Sequence, residues 1–334
     1  MESHLVTGAT GLVGMHIVLD LLSQNKKVCA TFTKNSNRSI IKHVFNHYGF
    51  SNYYDKVKWI KMDLEDVTEV YQAIKGVDFV YHSGAIVSFN KSDYEQMRRI
   101  NIEGTTNIVN ACLEHKIKKL AFISSVASIG REGKGKYSEK NKWNSRKENS
   151  FYALTKYKAE NEVWRGIEEG LNAVITNPGI IIGPSHWGRS STTIFKQIHK
   201  GLSYFPEGKN GFIDVRDVAR ATIALMDSKI NRERFILVGE NLPYKSVFDD
   251  IALCLNKPKP YKKATKSLLE IAWRLEAIRC FITNKKQSIT KETARTASQI
   301  NIYENQKIIN ALNYNFKTIK EAISNTSKFL LKVK

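Results

Sequence analysis

Cysteine and proline are scarce in this sequence, with four of the first and six of the second in 334 residues. Cys29, Cys112, Cys254 and Cys280 are widely scattered, without a CxxC pair or a Cys/His ligand spacing, which argues against a disulfide scaffold or zinc module. Reduced thiols and no metal site are expected. No apolar run approaches the roughly 18 to 20 residues that cross a bilayer, so no transmembrane segment is expected. Met1-Glu2-Ser3 leads directly into an apolar strand, without the basic and long apolar stretches of an export signal, and a cytoplasmic chain is the expectation. Acids are also in short supply: 32 against 52 lysines and arginines leave a formal charge of +20. That balance suits nucleic acid or an anionic membrane. The excess is nevertheless spread along a chain rich in Ile and Asn, and it reads as a lysine-rich background with no specific nucleic-acid partner. Only Lys257-Pro-Lys-Pro-Tyr-Lys-Lys-Ala-Thr-Lys266 is locally dense.

What is present is enough apolar residue, 42%, for a chain of this length to bury one large core or two ordinary ones. Over the first 180 residues short apolar runs alternate with helical stretches: His4 to Thr7, Val28 to Phe32, Val57 to Met62, Phe79 to His82, Leu120 to Ser124 and Ala173 to Thr176. The alternation predicts an α/β fold, a Rossmann-type doubly wound parallel sheet with a smaller C-terminal substrate lobe. The expected division is a dinucleotide-binding domain over 1–178 and a mainly substrate-binding lobe over 179–334, with about 212–238 returning to the sheet. Asp93 to His115, with Met97, Ile100, Ile108, Val109 and Cys112, reads as one long helix. Arg131 to Ser150 is a polar stretch with only Tyr137 and Trp143 as large apolar groups, and loops of that length are usually functional or disordered. Gly211 to Arg220 reads as the entry to a helix and Phe235 to Val238 as a strand. Leu268, Ile271, Leu275, Ile278 and Ile282 repeat at helical spacing and are expected to form core or pocket wall, with a membrane-touching face as the alternative.

Thr7-Gly-Ala-Thr-Gly-Leu-Val-Gly14 sits between the first strand and the first helix. Gly8, Gly11 and Gly14 allow a tight turn, close approach to a pyrophosphate and close helix packing, while the helix start at Thr10, Leu12 and Val13 offers free N–H groups. At the end of the second strand, Ala30-Thr-Phe-Thr-Lys-Asn-Ser-Asn-Arg38 lacks the acid that would hold an adenosine 2′-hydroxyl. Thr33, Lys34, Ser36 and Arg38 can instead bind a 2′-phosphate, so NADP(H) is favoured over NAD(H). Asp63-Leu64 stands where the adenine would lie, and Ser83-Gly84-Ala85 offers small residues where backbone meets cofactor.

A tyrosine can exchange a proton with a carbonyl/alcohol pair if a cation lowers its ordinary pKa of about 10. Tyr-x-x-x-Lys on a helix delivers that cation from the same face. The pattern occurs four times, as Tyr54/Lys58, Tyr71/Lys75, Tyr152/Lys156 and Tyr303/Lys307. Only Tyr152 opens a helix after the long polar stretch and follows a serine pair, Ser124-Ser125, at the end of a strand. Ser125 can then hydrogen-bond the substrate oxygen. The other three pairs read as solvated helix faces.

With these residues the sequence resembles the extended short-chain dehydrogenase/reductase, or NAD-dependent epimerase/dehydratase, family. The shared motifs span most of the chain and add Asn101-Ile-Glu-Gly-Thr105, Asn177-Pro-Gly179, Gly183-Pro184 and Phe212-Ile-Asp-Val-Arg-Asp-Val-Ala219. The resemblance implies that Ser125, Tyr152 and Lys156 are the catalytic triad, with Lys156 also holding the nicotinamide ribose. It implies Asn101 near the cofactor and Pro178-Gly179 against the nicotinamide amide.

Departures narrow the chemistry. Val126-Ala127 stands where the family's dehydratases carry Asp-Glu, so dehydration is not expected. Lys209-Asn-Gly-Phe-Ile-Asp-Val215 lacks the arginine with which sugar-nucleotide epimerases grip a diphosphate, although Asn177-Pro178 resembles their loop and Arg189 or Lys209 can substitute. The second strand, the Gly201 to Gly208 turn, and Ser288-Ile-Thr-Lys-Glu-Thr293 followed by Tyr303 resemble the dihydroflavonol-reductase and 3β-hydroxysteroid-dehydrogenase branch. The expected function is an NAD(P)-dependent oxidoreductase acting by hydride transfer on a small, apolar substrate, with a homodimer left open. A nucleotide-sugar epimerase with tightly bound NAD, or a non-enzymatic dinucleotide-sensing or nucleic-acid-binding protein, are the alternatives.

Overall fold

The computed structural model describes residues 2–131, 135–144, 149–283, 287 and 289–333. Its first half builds β1 (Ser3–Thr7), α1 (Leu12–Ser23), β2 (Lys27–Phe32), α2 (Ser39–His47), β3 (Lys58–Lys61), α3 (Val67–Ile74) and β4 (Phe79–His82). A compound helix follows, through α4 (Tyr94–Met97), a π-helical stretch (Arg98–Glu103) and α5 (Gly104–Glu114), and leads to β5 (Lys119–Ile123). Then come β6 (Lys136–Tyr137), α6 (Phe151–Glu168), β7 (Ala173–Pro178), β8 (Ile180–Ile182), α7 (Thr192–His199), β9 (Tyr204–Pro206), β10 (Lys209–Asp214) and α8 (Val215–Asp227). The chain continues with β11 (Glu233–Leu237), β12 (Glu240–Pro243), α9 (Tyr244–Cys254), β13 (Lys262–Ala264), α10 (Lys266–Thr283) and α11 (Lys291–Ala297). It closes with β14 (Ile302–Tyr303), α12 (Gln306–Leu312) and α13 (Ile319–Lys332).

Seven strands form one sheet in the order β11-β7-β5-β4-β1-β2-β3, with every neighbouring pair parallel. This is the doubly wound fold the alternation implies. β1, β5 and β7 are buried along their whole length, as parallel strands covered on both faces are. β3, Lys58-Trp-Ile-Lys61, is an edge strand whose terminal lysines stay in water and discourage further pairing. Met15, Ile17 and Leu21 of α1 share one core with α8 and α13, while Ile108, Val109 and Val163 of α5 and α6 share another with α3. The strand order reverses between β1 and β4, and ligands of open sheets bind at such a switch point.

Several expectations change. The expected single helix from Asp93 is compound: its π-helical turn carries an extra residue and directs Asn101 into the interior. Gly211 to Arg220 does lead into a helix, α8, behind its Asp214 cap, but its first four residues belong to β10, which pairs parallel with β8 and antiparallel with β12. Within the polar stretch, Tyr137 is buried against Tyr303 at 5.5 Å, and Trp143 stacks on Tyr157 at 4.4 Å. Tyr303 is therefore no solvated helix face: it is 4% exposed, and Lys307 bonds the Arg234 carbonyl and Glu233. Tyr54 belongs to a 3-10 turn and Lys58 to β3, so they do not share a helix. Only Tyr71/Lys75 stays close to the helix-face reading, with Tyr71 half-buried. Ser288 lies outside the described residues.

The largest correction concerns α10. Leu268, Ile271, Leu275 and Ile278 are exposed rather than core or pocket wall. The helical period holds, but the face turned toward the protein carries Leu269, Trp273 and Cys280 instead.

Candidate active site

At the end of β1 the chain must turn within a few residues, and Gly8 does so with φ +63°. A Cβ on Gly8 would lie 2.6 Å from the Gly84 backbone, and one on Gly14 2.3 Å from the Gly8 carbonyl oxygen. The glycines thus let the turn, α1 and the end of β4 approach at backbone distance. Gly11 is the N-cap of α1 and offers no side-chain acceptor, and the first turn of the helix holds no acid. By contrast, α3, α6 and α8 are capped by Asp66, Ser150 and Asp214. The first N–H groups of α1, at Leu12 and Val13, therefore meet an opening at the positive end of the helix dipole. Thr10 donates a long hydrogen bond to Ser36 at 3.4 Å. These features fit a dinucleotide pyrophosphate.

Beneath the turn, Thr7, His82 and Thr105 form a buried hydrogen-bonded chain. Thr105 donates to the Asn101 carbonyl, so its oxygen accepts from His82 Nε2 and His82 Nδ1 accepts from Thr7. Burial, aided by the nearby Lys156, pushes His82 down to about 3 and keeps it neutral. Fully buried at the end of β4, it is a structural pin below the cradle.

At the end of β2, the Thr33 N–H and hydroxyl both meet Ser36 Oγ, at 3.0 and 3.1 Å. Arg38 lies over Phe32, its guanidinium carbon 4.3 Å from the ring centroid. Lys34, with Thr33, lines a recess of about 610 Å³ that also includes Lys61, Asp63 and Glu65. Asp63 is exposed and accepts from the Glu65 N–H. Leu64 is buried, its side chain wedged where Cβ atoms on Gly84 and Gly104 would lie. Ala85 is exposed beside the recess of the switch point. Asn101 clasps the loop after β4, accepting from the Ile86 N–H at 2.7 Å and donating to its carbonyl at 2.9 Å. A further bond, 3.1 Å to Thr155, ties that loop to α6. Pro178 ends β7 and Gly179 follows it, where a Cβ on Gly179 would sit 2.5 Å from the Gly211 carbonyl oxygen.

Ser150 caps α6, whose first turn carries Tyr152. Glu292 of α11 accepts from both the Phe151 N–H and the Tyr94 hydroxyl, anchoring that end. The Tyr152 phenol faces Ser125, whose hydroxyl favours the phenolate, and Lys156 lies one turn further on, 2% exposed. Lys156 Nζ donates to the Ile123 carbonyl at 2.8 Å and stands 4.3 Å from the centre of the Phe122 ring. The structure brings all three expected side chains to the end of β5. It does not show the expected acid phenol. Burial outweighs the Ser125 hydroxyl and pushes Tyr152 up to about 12, while burial pushes Lys156 down to about 7, partly opposed by Glu160.

Glu160 is the residue that sequence reading missed. It is 2% exposed and lies one turn beyond Lys156. Its Oε2 accepts from Ser124 at 2.6 Å, Ser128 at 2.7 Å and Asn177 at 2.9 Å, and its Oε1 from Arg234 at 3.1 Å. Asn177 also donates to the Ser125 carbonyl at 3.2 Å. One buried carboxylate thus fixes the turn that carries Ser125. The signal was available: Tyr152, Lys156 and Glu160 repeat at a spacing of four on one helix face.

Residues 4–239 match the NAD dependent epimerase/dehydratase family. A putative dihydroflavonol 4-reductase of Synechocystis is 27% identical, over 97% of this chain and 93% of its own. The sterol demethylase protein B of Methylococcus capsulatus is 26% identical over 77% and 75%, and tetraketide alpha-pyrone reductase 2 of Arabidopsis thaliana 28% over 68% and 74%. The crystal structure of gox2253 superposes with a TM-score of 0.81 at 25% identity, covering 99% of this chain and 98% of that one. UDP-glucuronic acid 4-epimerase from Bacillus cereus, in complex with UDP-glucuronic acid and NAD, shares the fold at a TM-score of 0.77 and 19% identity, over 99% and 100%. With a family match over residues 4–239 and relatives aligned along most of their own length, the chain belongs to the NAD dependent epimerase/dehydratase family.

Proposed function

We propose that this protein is an NADP(H)-dependent oxidoreductase that interconverts a carbonyl and a hydroxyl on a small, apolar substrate. The observation that carries the reading is the gathering of Ser125, Tyr152 and Lys156 at the end of β5, with a buried Lys156 one helical turn beyond Tyr152. When bound, the nicotinamide supplies or takes up the hydride. The chain's own residues handle the proton and the oxygen. Ser125 donates a hydrogen bond to the substrate oxygen and holds the carbonyl beside Tyr152. Tyr152 gives its proton to that oxygen as hydride reaches carbon, so that C=O becomes CH–OH. With its ordinary state held protonated by burial, the phenol is set to act as the acid in reduction. Protonated Lys156 stabilises the phenolate that remains and, turned toward the cofactor ribose, holds it in line. Gly8, Gly11, Gly14 and the start of α1 receive the pyrophosphate. Asn101, Gly84, Ala85, Pro178 and Gly179 border the nicotinamide half, and Asp63 and Leu64 the adenine half.

The 2′-phosphate is assigned to Thr33, Ser36, Lys34 and Arg38. Lys34 and Arg38 form no ion pair among the described residues, which leaves their charge for a ligand. We include turnover without a metal and a cytoplasmic location in the proposal. Reductases among the named relatives support the reaction class. Nucleotide-sugar epimerisation is less well supported, because the Asn177 amide is turned inward to Glu160 and Ser128 instead of toward a ligand. The test is NADPH consumption by purified protein across a panel of ketones and aldehydes, with Tyr152→Phe as control. Tightly retained NAD and isomerisation of a UDP-sugar without net redox change would replace this reading by the epimerase one.

A further inference from the structure

An amphipathic helix on a globular protein ordinarily turns its apolar stripe inward. α10 does the reverse. Ile271, Leu275 and Ile278 are 56, 62 and 58% exposed, and Leu268 joins them at 38%. At 100° per residue these four project within one narrow sector, with Arg274 and Arg279 on its two flanks. The face toward the protein carries Glu276, whose side chain is only 15% exposed, along with Trp273 and Cys280. Burying a carboxylate while leaving four large aliphatic side chains in water is unfavourable unless something covers the ridge.

The surroundings indicate what covers it. The basic run from Lys257 passes through β13 into α10, and its Lys257, Lys259 and Lys266, the last opening the helix, form no ion pair among the described residues. Two exposed tyrosines, Tyr204 of β9 and Tyr261 just before β13, flank Lys262. An apolar ridge flanked by Arg274 and Arg279, and continued in the chain by a lysine- and tyrosine-bearing segment, matches a helix lying flat in a lipid headgroup region. No helix among the described residues is long and apolar enough to cross a membrane, which is consistent with lying on the surface. A second copy is the weaker occupant, since pairing across α10 would bring two basic segments together on chains of +20. The geometry points to α10 and the adjoining basic strand as a docking surface for an anionic lipid bilayer. This surface stands independently of the reaction proposed above.

The experiment is sedimentation of the full chain with vesicles of pure phosphatidylcholine, or of phosphatidylcholine with about 30% phosphatidylglycerol. The variants are Ile271→Glu/Leu275→Glu on the ridge and Lys259→Glu/Lys266→Glu in the basic run, with thermal unfolding to show that each folds. The expected result is binding to the anionic vesicles about tenfold tighter than to neutral ones, reduced about tenfold or more by either double variant. Unaltered binding by the ridge variant would assign the association to net charge alone and overturn the proposal. Absence of vesicle binding would overturn it too, as would a dimer in lipid-free solution that the ridge variant dissociates in place of vesicle binding.

Discussion

The glycine turn after β1 and the serine turn after β5 lie at the same end of one sheet, yet opposite means hold them. The first is built by leaving side chains out: Gly8 and Gly84 approach at backbone distance, and no charged group caps α1. The second is built around a buried charge, with Glu160 gathering Ser124, Ser128, Asn177 and Arg234 beneath Ser125. An anion site gains from bare N–H groups and space, whereas a proton-transfer site needs a serine and a phenol held to within tenths of an ångström. The two turns should therefore fail differently when altered.

The largest effect is expected at the serine side. Tyr152→Phe removes only the proton donor, so carbonyl reduction should fall by about 10²- to 10⁴-fold while NADPH affinity, read by fluorescence titration, stays within a few-fold. Gly8→Ala attacks the other side. A Cβ at φ +63°, against the Gly84 backbone, should cost about 2 to 4 kcal/mol in chemical unfolding and weaken NADPH binding severely. Equal affinity in that variant would show that the turn does not receive the pyrophosphate.

Glu160→Gln tests the charge beneath the serine turn. Lys156 must be protonated to stabilise the phenolate, so kcat/KM for reduction should fall as pH rises through about 7. Glu160 raises the lysine's pKa, hence its neutral analogue should move that midpoint to lower pH and reduce the rate at pH 7 by about tenfold. A slower enzyme with an unmoved pH profile would confine Glu160 to a structural role. The smallest effect is expected at the rim of the glycine side. Arg38→Ala should lower the preference for NADPH over NADH by about tenfold, measured as the ratio of kcat/KM values, with little change in melting temperature.

The contrast also explains what could be read in the chain. Strands such as Leu120 to Ser124 and Ala173 to Thr176 were legible because full burial between two helix layers leaves an unbroken apolar run. The cradle was legible because a φ of +63° and a 2.6 Å approach permit little besides glycine. Tyr152 and Lys156 were separable from three other Tyr-x-x-x-Lys pairs by what precedes them, although two of those three, Tyr54/Lys58 and Tyr303/Lys307, are not the solvated helix faces expected. Tyr303 is packed in the interior because a partner strand at Lys136–Tyr137, about 165 residues away, meets it.

Local sequence determined the parallel sheet, the bare helix start and the order of Ser125, Tyr152 and Lys156, since each depends on neighbours within a turn or a strand. Tertiary structure alone decided that Glu160 is a buried hub, that the Tyr152 phenol stays high, and that α10 presents its aliphatic side to water. Those outcomes depend on which distant groups share a low-dielectric space or cover a face. Periodicity specifies that a helix has an apolar side, but only the packing of the whole chain selects the direction in which that side points.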